Sequence, residues 1–143
     1  MGVMSPHLPD GDAAPIDGSL PASALASLSA TPFSAYVHVP FCRVRCGYCD
    51  FNTYTPQELG GLAPSTYVDA AIGEIRLART VLGDGVPALE TVFFGGGTPT
   101  MLPPSELGRL LGALRDAFGL ASDAEVTTEA NPETVDPAYF VSL

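Results

Sequence analysis

Three cysteines, Cys42, Cys46 and Cys49, are the only thiols in this 143-residue chain, and all lie in one stretch, HVPFCRVRCGYCDF. The spacing Cys42-x3-Cys46-x2-Cys49 leaves an odd number. An even number would suit disulfides or a closed metal site. Three thiolates suit a four-iron, four-sulfur cluster in which one iron keeps no protein ligand. That open iron can take a substrate, such as the amino and carboxylate groups of a methionine moiety. Arg43 and Arg45 lie inside the loop and place positive charge near an anionic cluster, and Gly47 permits a tight turn. A second reading is zinc held by Cys42, Cys46, Cys49 and His38, although His38 stands four residues before the first cysteine, outside the usual paired-knuckle spacing. A third leaves the thiols unligated and structural.

Two other features could join this chemistry. Gly95-Gly96-Gly97-Thr98 follows an apolar run, where the chain can approach a ligand closely, although a glycine run by itself marks only a turn. Glu129, in EANPETV, offers a carboxylate that can accept hydrogen bonds from an ammonium group or ribose hydroxyls. The plainer reading of Glu129 is a solvated strand end. Thr127 and Thr128 before it and Asn131-Pro132 after it supply turn chemistry.

Composition narrows the classes. Sixteen acidic residues face six arginines and no lysine, a net charge of −10, which argues against general binding to nucleic-acid backbone or anionic membrane. No run of 18 apolar residues appears, so no membrane span is expected. The start of the chain lacks a basic region followed by an apolar core, so a reducing cytoplasm is the expected setting. There, clustered cysteines are read as metal-binding or catalytic before disulfide-forming.

The elements that must position these residues can be read from periodicity. Residues 1–32 are rich in Pro, Ala, Ser, Gly and Asp without sustained period and are read as a flexible leader. FSAYVHVPF, from Phe33, alternates as a strand does, and Pro40 ends it. Ser65 or Thr66 can cap a helix with Val68, Ala71, Ile72, Ile75 and Ala78 on its apolar side, stopping near Gly83. Leu89 to Phe94 reads as a short buried strand, and Leu107, Leu110, Leu111, Leu114 and Phe118 as the stripe of a second helix closed by Gly119. AEVTTEANP reads as a third strand, after which Asp136 caps and Pro137 opens a third helix. This β-loop-α-β-α-β-α order implies an α/β fold with parallel strands and right-handed crossovers. Ligands of such folds collect at the carboxyl ends of the strands, where all three features fall.

YVHVPFCRVRCGYCDFNTY and FFGGGTPT together resemble the radical S-adenosylmethionine proteins, and within them the oxygen-independent coproporphyrinogen III oxidase-like group. With Glu129 the resemblance covers residues 35 to about 143. It implies a partial TIM barrel of the radical SAM type, of which residues 33–143 would be the N-terminal part of the core domain, cut after about three βα units. It further implies a [4Fe-4S] cluster on Cys42, Cys46 and Cys49, with S-adenosylmethionine on the open iron. Reductive cleavage of the bound sulfonium would yield methionine and a 5′-deoxyadenosyl radical, with an electron donor such as flavodoxin or ferredoxin.

Position by position, Tyr36 matches a tyrosine lying against S-adenosylmethionine, unless it is a core aromatic. Tyr48 matches the aromatic beside the adenine, unless it is loop packing. Gly96 matches the glycine whose backbone meets the methionine end, and Gly97 and Thr98 match residues assigned to a second S-adenosylmethionine. Glu129 matches the acidic residue that holds the first. His38 is expected to support the loop by hydrogen bonding, and no catalytic residue is assigned.

The group divides by function. Its oxidases, which decarboxylate coproporphyrinogen III, typically carry a fourth cysteine two residues after the third, where this chain has Phe51. CDFN is instead similar to the sister branch regarded as heme chaperones, which bind heme and pass it to acceptor proteins. The leading expectation is therefore a heme chaperone-like protein, with the oxidase acting on a porphyrinogen as the alternative. An inactive fragment with a structural cluster is the third reading.

Overall fold

The computed structural model describes residues 15–60 and 63–143; the first fourteen residues of the expected leader, and Gly61 and Leu62 of the linker, lie outside them. Residues 15–32 are not irregular throughout. They include a short helix, α1 (Ala22–Ser27), and a 3₁₀ turn (Leu28–Ala30), neither of which has a buried residue or a side-chain cap.

Strand β1 (Ser34–Val39), helix α2 (Pro64–Leu82), strand β2 (Leu89–Gly96), helix α3 (Pro104–Phe118), strand β3 (Leu120–Thr128) and helix α4 (Pro137–Ser142) follow in order. The strands form one sheet, β1-β2-β3, with both neighbouring pairs parallel. Parallel neighbours need a crossover, and α2 and α3 provide the two.

Alternation sorts the sheet into two faces. On one face Val37 and Val39 of β1 and Val92 and Phe94 of β2 are buried with Val68 of α2 and Leu107, Leu110 and Leu114 of α3. Burying a side chain of this size stabilises the fold by about 1.5–3 kcal/mol. Arg109 of α3 adds a polar tie between the helices, bonded to Asp69 of α2 at 2.6 Å and to Glu106 at 2.7 Å. The opposite face carries Tyr36, His38 and Phe93, and it is open, with Tyr36 stacked on Phe93 at 5.9 Å between centroids.

Several boundaries differ from the sequence reading. The cap of α2 is Ala63, without a side-chain bond, and Pro64 takes the first turn, so neither Ser65 nor Thr66 caps it. Proline suits that position because its fixed φ is helical and its missing N–H would have gone unused. Strand β2 runs two residues further than expected, into Gly95 and Gly96, because β1 continues to pair with it through His38 and Val39. Strand β3 begins at Leu120, four residues before the expected start. Its partner on β2 jumps from Leu120 to Glu125 between Leu89 and Thr91, an irregularity that hides the start from an alternation count. Asp136 does cap α4, accepting from the Tyr139 N–H at 2.8 Å.

Candidate cofactor site

At the carboxyl ends of the strands, the loops after β1, β2 and β3 enclose a cleft of about 870 Å³. The first loop contributes Cys42, Cys46, Tyr48, Cys49 and Phe51, the second Gly96, Gly97 and Thr98, and the third Glu129 to Glu133. Every expected site residue except Tyr36 therefore lines one space.

The first two loops are stitched together by backbone. The Gly97 N–H donates to the Val39 carbonyl at 2.8 Å and the Thr98 N–H to the Phe41 carbonyl at 2.7 Å. This approach explains the glycines. Gly96 has φ +114°, a conformation that side chains disfavour, and a Cβ there would stand 2.9 Å from the His38 ring. A Cβ on Gly97 would lie 2.5 Å from the Phe41 carbonyl oxygen and 2.9 Å from Cys42 Sγ. By contrast, nothing lies within 4 Å of a Cβ built on Gly47, and its φ is not positive, so the cysteine loop does not depend on a glycine there as expected.

The third loop is tied to the second by hydroxyls. Thr134 donates to the Asn131 carbonyl at 2.8 Å, and its oxygen lies 2.5 Å from buried Thr100, which accepts from the Asn131 N–H at 3.3 Å. The Glu129 N–H donates to the Phe94 carbonyl at 3.0 Å, so Glu129 continues the β3 pairing and its side chain shares the open face with Gly95. Sequence reading saw Asn131 only as turn chemistry and did not single out Thr100. Their bond spans 31 residues, which no local pattern reveals.

Tyr36 is 58% exposed and sits on the open face beside the cleft, not in the hydrophobic core. Its hydroxyl lies 2.9 Å from His38 Nδ1, while His38 Nε2 lies 2.8 Å from the Asn52 carbonyl oxygen. A carbonyl can only accept, so Nε2 carries the proton and in the neutral ring Nδ1 accepts from Tyr36. Partial burial first, and then the negative charge of Glu129, raise the Tyr36 phenol above its ordinary 10.0, which keeps it a donor. With both ring nitrogens engaged, His38 has none left for a metal, which counts against the zinc reading. The ring also ties β1 to the cysteine loop.

The three thiols are free. Among the described residues no three His, Cys, Asp or Glu side chains converge as a metal-binding group. The donor set nevertheless fits an iron–sulfur cluster better than any other group: three soft thiolates on one loop, no fourth ligand from His38, and a cleft at whose wall all three lie. Arg45 does not lend its charge to this space as expected. Its guanidinium turns to the Thr53 carbonyl at 2.6 Å and the Glu58 carboxylate at 3.1 Å. Tyr48 is 92% and Phe51 70% exposed at the rim. No helix among the described residues is long and apolar enough to cross a membrane.

Known proteins match this arrangement. The profile of the Radical SAM superfamily matches residues 36–142. The heme chaperone HemW of Mycobacterium tuberculosis (strain H37Rv) is 50% identical over 119 residues, 83% of this chain and 30% of that protein. The heme chaperone HemW of Escherichia coli (strain K12) is 38% identical over 110 residues, 77% of this chain and 28% of that protein. Among solved structures, coproporphyrinogen III oxidase (HemN) from Escherichia coli, a radical SAM enzyme, superposes with a TM-score of 0.68 at 32% identity, over 80% of this chain and 25% of that one. The parallel α/β arrangement is thus that of a partial radical SAM fold. The chain spans no more than about 30% of the length of these curated relatives.

Proposed function

The chain belongs to the radical S-adenosylmethionine superfamily, in its HemN- and HemW-like group, and from that premise we propose that it forms the cofactor-holding part of a heme chaperone of the HemW kind. The observation that supports this reading is the convergence of the cysteine loop, the glycine loop and the Glu129 segment on one cleft.

Cys42, Cys46 and Cys49, as thiolates, would hold a [4Fe-4S] cluster, and S-adenosylmethionine would lie against the glycine loop. When bound, this pair supplies one-electron reductive chemistry at the sulfonium. The chain's own contribution is orientation. The Gly96 and Gly97 backbone carries no side chain between ligand and wall, and Thr98 offers a hydroxyl at the same rim. The Glu129 carboxylate would accept from the ammonium or ribose hydroxyls, and the exposed Tyr48 ring is free to lie against an adenine. Tyr36, held protonated and bonded to His38, would border the cofactor from the open face.

Phe51 favours the chaperone over the oxidase. It lines the cleft at the place where the resembling oxidases carry a further cysteine, so a thiol is absent from the rim. Positioning of a porphyrinogen is demanding, and loss of one group at the reacting centre can remove turnover while leaving cofactor binding intact. Heme would be the cargo, acceptor proteins its destination, a flavodoxin or ferredoxin the electron donor, and the cytoplasm the setting.

The test uses the full-length protein under anaerobic conditions. Reconstitution with iron and sulfide is expected to give about four irons per chain, bleached by air, because the fourth corner is open. Heme is expected to bind, and coproporphyrinogen III is not expected to gain vinyl groups with S-adenosylmethionine and a strong reductant. Robust decarboxylation would overturn the chaperone reading, and stoichiometric zinc without iron uptake would overturn the cluster. A cluster that forms but binds neither S-adenosylmethionine nor heme would leave the structural-cluster fragment as the better account.

A further inference from the structure

Between Cys42 and Cys49 the loop has few anchors of its own. Val44 and Tyr48 are exposed, a Cβ at Gly47 would meet nothing within 4 Å, and Arg43 reaches Glu133 at 3.9 Å in solvent. Within residues 43–48, Arg45 is the one side chain with hydrogen bonds among the described residues.

What it grips is a strap, residues 52–58, lying behind the loop. The strap is fastened independently at several points. Asn52 accepts from His38 at 2.8 Å. The Tyr54 N–H donates to the Pro40 carbonyl at 2.7 Å, and the Tyr54 carbonyl accepts from the Cys42 N–H at 3.0 Å. Glu58 folds back on Thr55, accepting from its N–H at 2.8 Å and its hydroxyl at 2.9 Å. These bonds, with Arg45 adding to them, hold the Glu58 carboxyl below its ordinary range, so it stays charged toward the arginine. Thr53 is 3% exposed, and its hydroxyl lies 3.7 Å from Cys49 Sγ.

We propose that Arg45 is a positioning residue, a latch that fastens the cysteine loop to the strap through the Thr53 carbonyl and the Glu58 carboxylate and so sets Cys46 and Cys49 in place before any cluster binds. The inference rests on the reading of these cysteines as the cluster's ligands. An exposed ion pair alone contributes little. Here the guanidinium spans two acceptors on a segment already fastened, and each bond is charge-assisted. Both bonds leave from one nitrogen, Nη2, held there by the planar guanidinium; a lysine ammonium keeps the charge and the donors but not that planar anchoring. Groups that orient a metal's ligands in this way commonly govern how long the metal stays.

The experiment compares Arg45→Gln, Arg45→Lys, Glu58→Gln and the double variant with the parent full-length chain, with Arg115→Gln, whose partner is Asp116 on α3, as a distant control. In the metal-free chain, hydrogen exchange across residues 43–49 is expected to speed up in Arg45→Gln while thermal melting stays close to the parent. In the reconstituted chain, iron release to a chelator is expected to be about tenfold to a hundredfold faster in Arg45→Gln. Arg45→Lys is expected to lie between the two, and the double variant to fall short of the summed losses of Arg45→Gln and Glu58→Gln, because the two partners share a link. Unchanged exchange and iron release in Arg45→Gln, or equal losses in Arg115→Gln, would overturn the latch. Should the parent take up no iron, the cluster assignment fails, and the exchange measurement on the metal-free chain still decides whether the latch exists.

Discussion

The glycine loop and the cysteine loop wall the same cleft but are held by different physics. The glycine loop is held by absence: without side chains at Gly96 and Gly97, its backbone sits against Val39, Phe41 and Cys42, and the bonds that fix it are main-chain bonds of a paired strand. The cysteine loop is held by side chains reaching outward, from Arg45 to Thr53 and Glu58, and from His38 to Asn52. The first wall has no freedom to move without breaking the sheet. The second is fastened by a few polar side-chain links.

The sharpest way to break this contrast is Gly97→Ala. A Cβ 2.5 Å from a backbone carbonyl oxygen cannot be relieved by turning a side chain. The substitution is expected to cost about 3 kcal/mol, the upper end of overpacking penalties, and to part the two loops. A lowered thermal midpoint together with lost iron uptake would be the signature; a stable variant with normal uptake would show that the two loops need not touch.

A smaller effect is expected where the cysteine loop's support meets the core. The Tyr67 hydroxyl donates to the His38 carbonyl at 2.6 Å from a half-buried ring, and burial, ahead of the charge of Glu74, pushes its phenol up to about 12. Tyr67→Phe is expected to cost about 1 kcal/mol in denaturant unfolding. The sign of the pH dependence follows from the raised value. The neutral phenol is favoured in the folded chain, so this stabilisation is complete below the unfolded value of 10.0 and is lost as pH rises toward about 12. Ultraviolet titration should show one tyrosine ionising last, and Tyr67→Phe should remove that last step.

The smallest effect sharpens the comparison from the other side. Gly47→Ala, in the cysteine loop, meets open space at ordinary φ, and its stability is expected to stay within about 0.5 kcal/mol of the parent. Near-equal melting of this variant and the parent, beside the loss in Gly97→Ala, would show that the two loops use their glycines for unrelated reasons.

Much of the site was legible in the chain because it is local. Three thiols at fixed spacing, glycines after an apolar run, and a capping Asp136 before Pro137 are each set by residues a few positions apart. Alternation likewise marked FSAYVHVPF as a strand, and the helical stripe of α3 was read correctly because 3.6-residue periodicity is a property of the sequence. The helix start at Pro64 was missed because two plausible hydroxyl caps follow directly, and the early part of β3 because its register slips.

What only the tertiary structure decided is which charges and hydroxyls act at a distance. Arg45 is one of two arginines beside the cysteines, and nothing in CRVRC distinguishes it from Arg43; folding sends one to a carboxylate thirteen residues along the chain and leaves the other in solvent. His38 as a possible metal ligand and His38 as a strut are the same letter in the sequence, and only the positions of Tyr36 and Asn52 exhaust both its nitrogens. The physical reason is common to both. Residue type and spacing set what a group can donate or accept, whereas the partner it meets depends on where the chain returns, and that is settled by packing of the sheet and helices.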